Sequence, residues 1–496
     1  TPHLMKTKVS TSVLALGLFL MSCSKDYFEL DRPPQNPWNT VSEFERAAVG
    51  AYASLFSGDK WNIPWVNWAL VKTSMGDDVD WVSNGEWGYW RKTKEFNIYT
   101  DKNILLLYRS IAVANLALEF AATDNGNPFP GENDDQAKEN VKRVIGELHF
   151  IRGYAYYYLQ TTFGRAYVPG GNNADKGIPM PTKYARSLDE AKNPKIGTTQ
   201  EVYDLIVSDL QKAKELLPEK YLDGIHHPSY QVRANRFAAS AMLMRAYLQR
   251  GEYDKAIGES NYIINENKGA YDLSEDPIAA FSKSDVSRGK EVIFYVPYYD
   301  NTLATPHHLS VLNSTYENKQ CNWSETRMAA GTMKRLGWME NPQTDTAFTV
   351  VAKRDKRFRQ LMTVRYPQNK RRADQPFDNR TEIKDITTVW PNKFYRGTGY
   401  FNTNVPLIRL AEVYLTRAVL RFRAGDQAGA AADLNAVRSR AWDTTVGGPY
   451  QPVTAGSLTE DMIHNERVIE LFNESDRIDY LRGLKLPIPK GERGPG

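Results

Sequence analysis

The sequence predicts a mainly α-helical fold, a scaffold of antiparallel helical hairpins interrupted by loop-rich insertions and a few short strands. Three observations carry this. Apolar residues recur at helical spacing through most of the chain. Two capping-box pairs, Thr40 with Glu43 and Thr198 with Glu201, mark helix starts. Gly251 and Gly425 each separate two apolar-periodic segments, where glycine permits the reversal between antiparallel helices.

The elements follow in order. Phe44, Ala47, Ala48, Ala51 and Leu55 form the stripe of a helix after Thr40. A second helix runs from about Lys102 to Thr123, with Ile104, Tyr108, Ile111, Asn115, Leu118 and Ala122 on one face. A third, from about Asp134 to Leu159, aligns Ala137, Val141, Val144, Leu148, Ile151 and Ala155. The second capping box leads into Val202, Ile206, Leu210, Ala213 and Leu217. Phe237, Ala241, Met244 and Leu248 line a helix that stops at Gly251, and Tyr253, Ala256, Ile257 and Ile264 restart one.

That junction, Ala246 to Ala256, resembles a tetratricopeptide hairpin. Its glycine turns the chain, and Ala256 lets the second helix approach the first closely. The pattern recurs from Phe422 to Ala430. Such repeats have a period of ~34 residues, and the copies here are too scattered for one uninterrupted array. The scaffold is therefore assigned to about 40–57, 102–270 and 405–482, within one domain over 40–496. Loop-rich insertions occupy about 58–101 and 271–404. Glu291 to Tyr298 reads as a strand broken by Pro297.

The N-terminus reads as a secretory signal over 1–22, with Met5 as initiator, Lys6 and Lys8 as its positive region and Val13–Met21 as its apolar run. Nine apolar residues fall short of the ~20 that span a bilayer. Leu20-Met21-Ser22-Cys23 resembles a bacterial lipobox, with Met21 bulkier than the usual occupant. Lipidation of Cys23 would leave 23–39 as a tether. Removing residues 1–22 takes away two lysines and no acid, and the formal charge falls from +4 to +2. A nearly neutral body gives no electrostatic reason to expect nucleic acid. With two cysteines in the chain and Cys23 lipidated, Cys321 has no disulfide partner, and paired-cysteine zinc sites are excluded by count.

Four stretches, in order, resemble the SusD/RagB family of surface nutrient-binding lipoproteins. They are Gly146 to Tyr156 with Phe163-Gly164 and Val168-Pro169; the junction around Gly251; Val405 to Leu415 with Leu434 to Ala441; and Asn465 to Leu471 with Glu474, Arg477, Asp479 and Arg482. Ser475 departs from the pattern, since a glycine is usual there, and Gly153 replaces a commoner alanine. The resemblance implies a tetratricopeptide scaffold carrying a loop-rich ligand-binding part. It implies an outer-membrane, surface-exposed lipoprotein that passes nutrient to a SusC-like TonB-dependent transporter. Ligands in such proteins are most often oligosaccharides, peptides in some members, and no reaction is catalysed.

The ligand residues come from the loops. Trp61, Trp65, Trp68, Trp81, Trp87 and Trp90 crowd the first insertion. A flat indole covers the C–H face of a sugar ring while amides and carboxylates bond its hydroxyl edge. Trp81, Trp87 and Trp90, amid glycine and polar residues, are the chosen stacking rings, with Asp77, Asp78 and Asn84 for hydroxyls. Most of the other rings are assigned to packing. Tyr298, Tyr299 and Trp323 in the second insertion complete the set. The dense tryptophans favour a glycan over the alternatives, a peptide ligand or a tetratricopeptide scaffold that binds protein. Asp77 and Asp78 are sequence neighbours, which usually point apart, so they do not form the ~5–10 Å carboxylate pair of a glycosidase. No cofactor is expected; calcium is the one ion the oxygens of Asp77, Asp78 and Asp80 suit, although the loop lacks an EF-hand's glycine and distal glutamate. The adjacent pairs His226-His227 and His307-His308 lack metal-binding spacing. Glu412, Glu466, Arg467, Glu470, Glu474 and Arg477 are read as structural, forming pairs within helices and satisfying turns.

Overall fold

The computed structural model describes residues 38–56, 71–81, 98–221, 226–283, 287–297, 315–317, 320–322, 326–341, 344–345, 347–365, 387–394 and 404–488. Helix α1 (Val41–Phe56) buries the predicted stripe. Thr40 Oγ1 accepts from the Glu43 amide at 3.1 Å, but the Glu43 carboxylate reaches the Asn39 amide at 2.7 Å, one residue upstream of the cap. Strand β1 (Val79–Trp81) follows, then α2 (Ile98–Ala121) and the 29-residue α3 (Asp135–Phe163), capped by Asp134. Strands β2 (Lys176–Pro179) and β3 (Ile196–Thr198) flank a short α4 (Leu188–Lys192). Helix α5 (Thr199–Leu216) begins on the complete Thr198–Glu201 capping box.

Helix α6 (Arg236–Arg250) turns at Gly251 into α7 (Tyr253–Asn265). Gly251 has φ 74°, and a Cβ there would lie 2.5 Å from Pro169 Cγ. Both the backbone hand and the close approach therefore require glycine. The second hairpin repeats this design further on: α11 (Leu410–Arg423) reverses at Gly425, φ 87°, into α12 (Gln427–Ala441). Helices α1, α2, α3, α5, α6, α7, α11 and α12 share one continuous apolar core. Ile104–Ala121 is long and apolar enough to span a membrane, yet Ile111, Ala114 and Ala117 are fully buried in that core.

Between α7 and α11 lie β4 (Val292–Val296), β5 (Thr315–Glu317), β6 (Gln320–Asn322), β7 (Thr326–Met328), α8 (Ala330–Arg335), α9 (Val350–Lys353), α10 (Lys356–Gln360), β8 (Met362–Arg365), β9 (Thr388–Pro391) and β10 (Val405–Arg409). After α12 come α13 (Thr444–Gly447), α14 (Glu460–Glu470) and α15 (Arg477–Gly483). Among the described residues the strands form two-stranded antiparallel pairs, including β1 with β7 and β4 with β10. The strand expected over Glu291–Tyr298 is β4, ending before Pro297.

The second insertion holds more order than its sequence predicts. Val79 of β1 joins Met328, Met333, Trp338, Phe348 and Val389 in a second apolar cluster, closed by Val468 and Phe472 from the C-terminal part of the chain. The two insertions are thus packed against each other and against the motif-bearing segment after residue 465.

Candidate functional site

Strand β1 places the start of the first aromatic segment. Its three residues pair antiparallel with β7: Val79 opposite Met328, Asp80 opposite Arg327, Trp81 opposite Thr326. Arg327 Nη2 donates to Asp80 Oδ2 at 2.8 Å across the ladder. The chain leaves β1 after Trp81 and enters β7 at Thr326, so both aromatic segments start from one end of one ladder. Asn84 is three residues beyond Trp81 in the chain, and Trp323 three before Thr326. Asn84, Trp87, Trp90, Tyr298, Tyr299 and Trp323 lie outside the described residues, as does Cys23. Trp81 is described through its backbone pairing.

Tyr298 and Tyr299 follow β4, whose last residue, Val296, pairs with Val405 of β10. Val405 lines a cavity of about 70 Å³ that is also walled by Asn473 and Ser475. Asn473 Oδ1 in turn accepts from Thr326 Oγ1 at 3.0 Å. The β4–β10 ladder thus reaches the cavity through Val405, and the β1–β7 ladder is linked to its wall through the Thr326–Asn473 hydrogen bond.

The cavity itself is lined by Tyr154, Tyr157 and Tyr158 of α3 and by paired charges. Arg245 grips Glu412 with two bonds of 2.7 and 2.6 Å. Arg467 holds Asp476 likewise, at 2.7 and 2.6 Å. Beside them Lys72 donates to Thr161 and Asp479 and lies 4.7 Å from the Tyr158 ring centroid. Burial pushes the Lys72 ammonium down to about 8, against the pull of Asp479. Charges already matched in this way hold the wall rigid, and contribute little free polarity to a ligand.

Asp77 and Asp78, expected to meet sugar hydroxyls, are both buried. The Asp77 carboxylate accepts from Arg477 Nε at 2.5 Å and from Arg335 Nη1 at 3.0 Å. Burial works to raise it, but the two guanidiniums hold it below the usual carboxylate range. Asp78 folds back over Gly76, whose added Cβ would lie 2.4 Å from Asp78 Oδ1. Burial, reinforced by the Asp77 charge, pushes Asp78 up to about 6. This pair ties β1 to α15 and α8 and presents no open hydroxyl-binding edge. The calcium arrangement is not assembled either: Asp77 and Asp80 each face guanidiniums, and among the described residues no three His, Cys, Asp or Glu side chains converge as ligands.

The motif charges are structural, as expected, but their pairing differs from the intrahelical reading. Glu470 accepts from Arg409 and Arg440 at 2.7 and 2.6 Å through one oxygen and from Arg357 at 2.7 Å through the other. Glu466 is shared by Arg357 and Arg438 at 2.6 and 2.7 Å. Glu474 takes Arg409 at 2.8 Å and Lys393 at 2.5 Å. These partners come from β10, α10, α12 and the segment after β9. The acids of α14 gather distant elements behind the cavity wall, and sequence spacing could align the acids on one face without revealing what they face.

The described residues form a helical-repeat scaffold on which β1 and the strands of the second insertion pack beside one cavity. The comparisons with known proteins agree. Residues 38–248 match a model described as "Starch-binding associating with outer membrane", and residues 290–483 match the model of the SusD family. The chain belongs to the SusD family. It is 26% identical to the SusD-like protein P2 of Formosa agariphila, over 97% of this chain and 91% of that one. A SusD superfamily protein of Bacteroides thetaiotaomicron shares the fold at TM-score 0.68 and 23% identity, covering 92% of this chain and 91% of the other. A SusD-like carbohydrate binding protein of Bacteroides fragilis does so at TM-score 0.67 and 21% identity, covering 90% and 86%.

Proposed function

We propose that this protein captures oligosaccharide outside the cell and delivers it to a SusC-like TonB-dependent transporter of the outer membrane. One observation supports the reading: β1 ends at Trp81 opposite Thr326 of β7, which is hydrogen-bonded to the cavity-lining Asn473, and β4 ends at Val296 opposite the cavity-lining Val405. Trp81, Trp87, Trp90, Tyr298, Tyr299 and Trp323 supply stacking faces, and Asn84 an amide for hydroxyls. Family membership and carbohydrate-binding relatives support the ligand class. Lipid on Cys23 would hold the protein at the membrane while the scaffold leaves the loops open to the ligand.

Calorimetry against a glycan panel tests this. Aromatic pairs contribute roughly 0.5–1.5 kcal/mol each beyond area burial, so alanine at Trp81, Trp87 and Trp90 together should reduce affinity at least tenfold, about 1.4 kcal/mol. Unchanged affinity in that variant would refute the site. Loss of acyl labelling in Cys23→Ala tests the anchor separately.

A further inference from the structure

A second cavity, of about 180 Å³, lies between the α9–α10 turn, the end of α12 and α14. Its wall is largely apolar, with Leu336, Val351, Met462 and Ile469. The polar groups divide into two sets. Asp355 and Glu466 are both held by Arg357, at 2.7 and 2.6 Å, and Arg438 is held by Glu466 at 2.7 Å. Arg354 is different. Its guanidinium lies 4.4 Å from the Trp442 ring centroid, and among the described residues it meets no carboxylate. It is the charge left over once the acids of this wall are matched.

The indole beside it is fixed. Trp442 Nε1 donates to the Gly448 carbonyl at 2.9 Å, and Tyr450 packs edge-on at 5.4 Å. Gly447 leaves no room for a side chain, since a Cβ there would lie 2.8 Å from the indole. The segment Lys353 to Arg359 carries five cations and one acid, which favours approach of an anion.

We infer that this cavity binds an oxyanion, a carboxylate or a sulfate, carried on a ring-sized body with an apolar face. Arg354 presents a planar fork that matches two oxygens of such a group. The aliphatic wall and the edge of Trp442 receive the body, and the Asn465 amide on the same wall is placed for a hydroxyl. This site is separate from the tryptophan loops and stands or falls independently of them.

The test is ¹⁹F NMR of the full chain labelled with 5-fluorotryptophan, with the Trp442 signal assigned by Trp442→Phe. Glucuronate, glucose 6-sulfate and glucose are titrated in turn. A saturable shift of the Trp442 signal with at least one anionic probe and none with glucose is expected. The response identifies the oxyanion: glucuronate alone for a carboxylate, the sulfate ester alone for a sulfate. Affinity should fall about tenfold in Arg354→Gln, as for a lost charge-assisted bond, and be partly restored in Arg354→Lys. Asn465→Phe, which keeps Arg354 but puts a ring into the cavity, should also abolish the shift, and decides the matter if the arginine variant does not fold. No saturable shift with either anion, an equal response to glucose, or full binding by both Arg354→Gln and Asn465→Phe would overturn the proposal.

Discussion

Asp80 and Arg327 face each other across the β1–β7 ladder, one register step inside the pair formed by Trp81 and Thr326. The ion pair therefore sits immediately behind the end from which both aromatic segments leave. Half-open pairs of this kind are worth about 1 kcal/mol or less. Arg327→Ala should barely move the global unfolding midpoint. Amide exchange across residues 79–81 should nevertheless accelerate severalfold, because the lost pair bridges the middle of a ladder only three residues long. Unchanged exchange would show that the apolar cluster alone fixes β1.

Ser475 adopts φ 66°, a left-handed conformation on the cavity wall. A non-glycine residue there carries ~1–2 kcal/mol of strain, partly offset by the extra chain entropy a glycine would lose. Ser475→Gly should raise stability by up to about 1 kcal/mol, read as a higher urea midpoint at constant slope. The glycine that the SusD/RagB resemblance leads one to expect at this position thus has a backbone cause. A drop in stability would mean that the hydroxyl contributes more than the strain costs.

Helix positions, both hairpin glycines and the Thr198–Glu201 capping box were legible because each is a local signal, written within a few residues of the feature it makes. Gly251 and Gly425 required only their neighbours. The β1–β7 pairing was not legible, since Trp81 and Thr326 are far apart in the chain and each strand is three residues long. The same applies to Asp77. Its neighbours Asp78 and Asp80 suggested an open acidic loop, whereas its partners Arg335 and Arg477 lie hundreds of residues away. The spacing of Glu466 and Glu470 placed them on one helix face. Their guanidinium partners, Arg357, Arg409, Arg438 and Arg440, could only be found in three dimensions.

Asp78 is buried with its carboxyl pushed up to about 6 from an ordinary 3.8. In that interval the folded state holds a proton that the unfolded state has released, so stability falls as pH rises from about 4 to 6. Above pH 6 the cost is fully present. One pKa unit corresponds to about 1.4 kcal/mol, which puts the cost on the order of 3 kcal/mol at most. Asp78→Asn should therefore stabilise the protein at pH 7, by an amount that shrinks towards pH 4. Denaturation curves at pH 4.5 and 7 check this, and an equal effect at both would contradict the assignment.

Glu470 behaves in the opposite sense. Burial opposes its charge, but Arg440, Arg409 and Arg357 together hold it well below the usual carboxylate range. Its contribution is present above about pH 4.5 and is lost as pH falls below that. Glu470→Gln leaves three guanidiniums without their shared partner, and removing one side of a buried pair costs about 3–5 kcal/mol. The variant should unfold at much lower denaturant at pH 7, while the difference from the parent narrows in acid. A loss under 1 kcal/mol at pH 7 would mean that Glu291 and Glu474 suffice to balance the cluster.

The most direct examination of the central claim is a crystal structure with a glycan that binds in solution. Sugar rings should lie against at least one ring from Trp81, Trp87 and Trp90 and at least one from Tyr298, Tyr299 and Trp323, beside the end of the β1–β7 ladder. A glycan seated in the groove of the helical hairpins, with both aromatic segments out of contact, would contradict it.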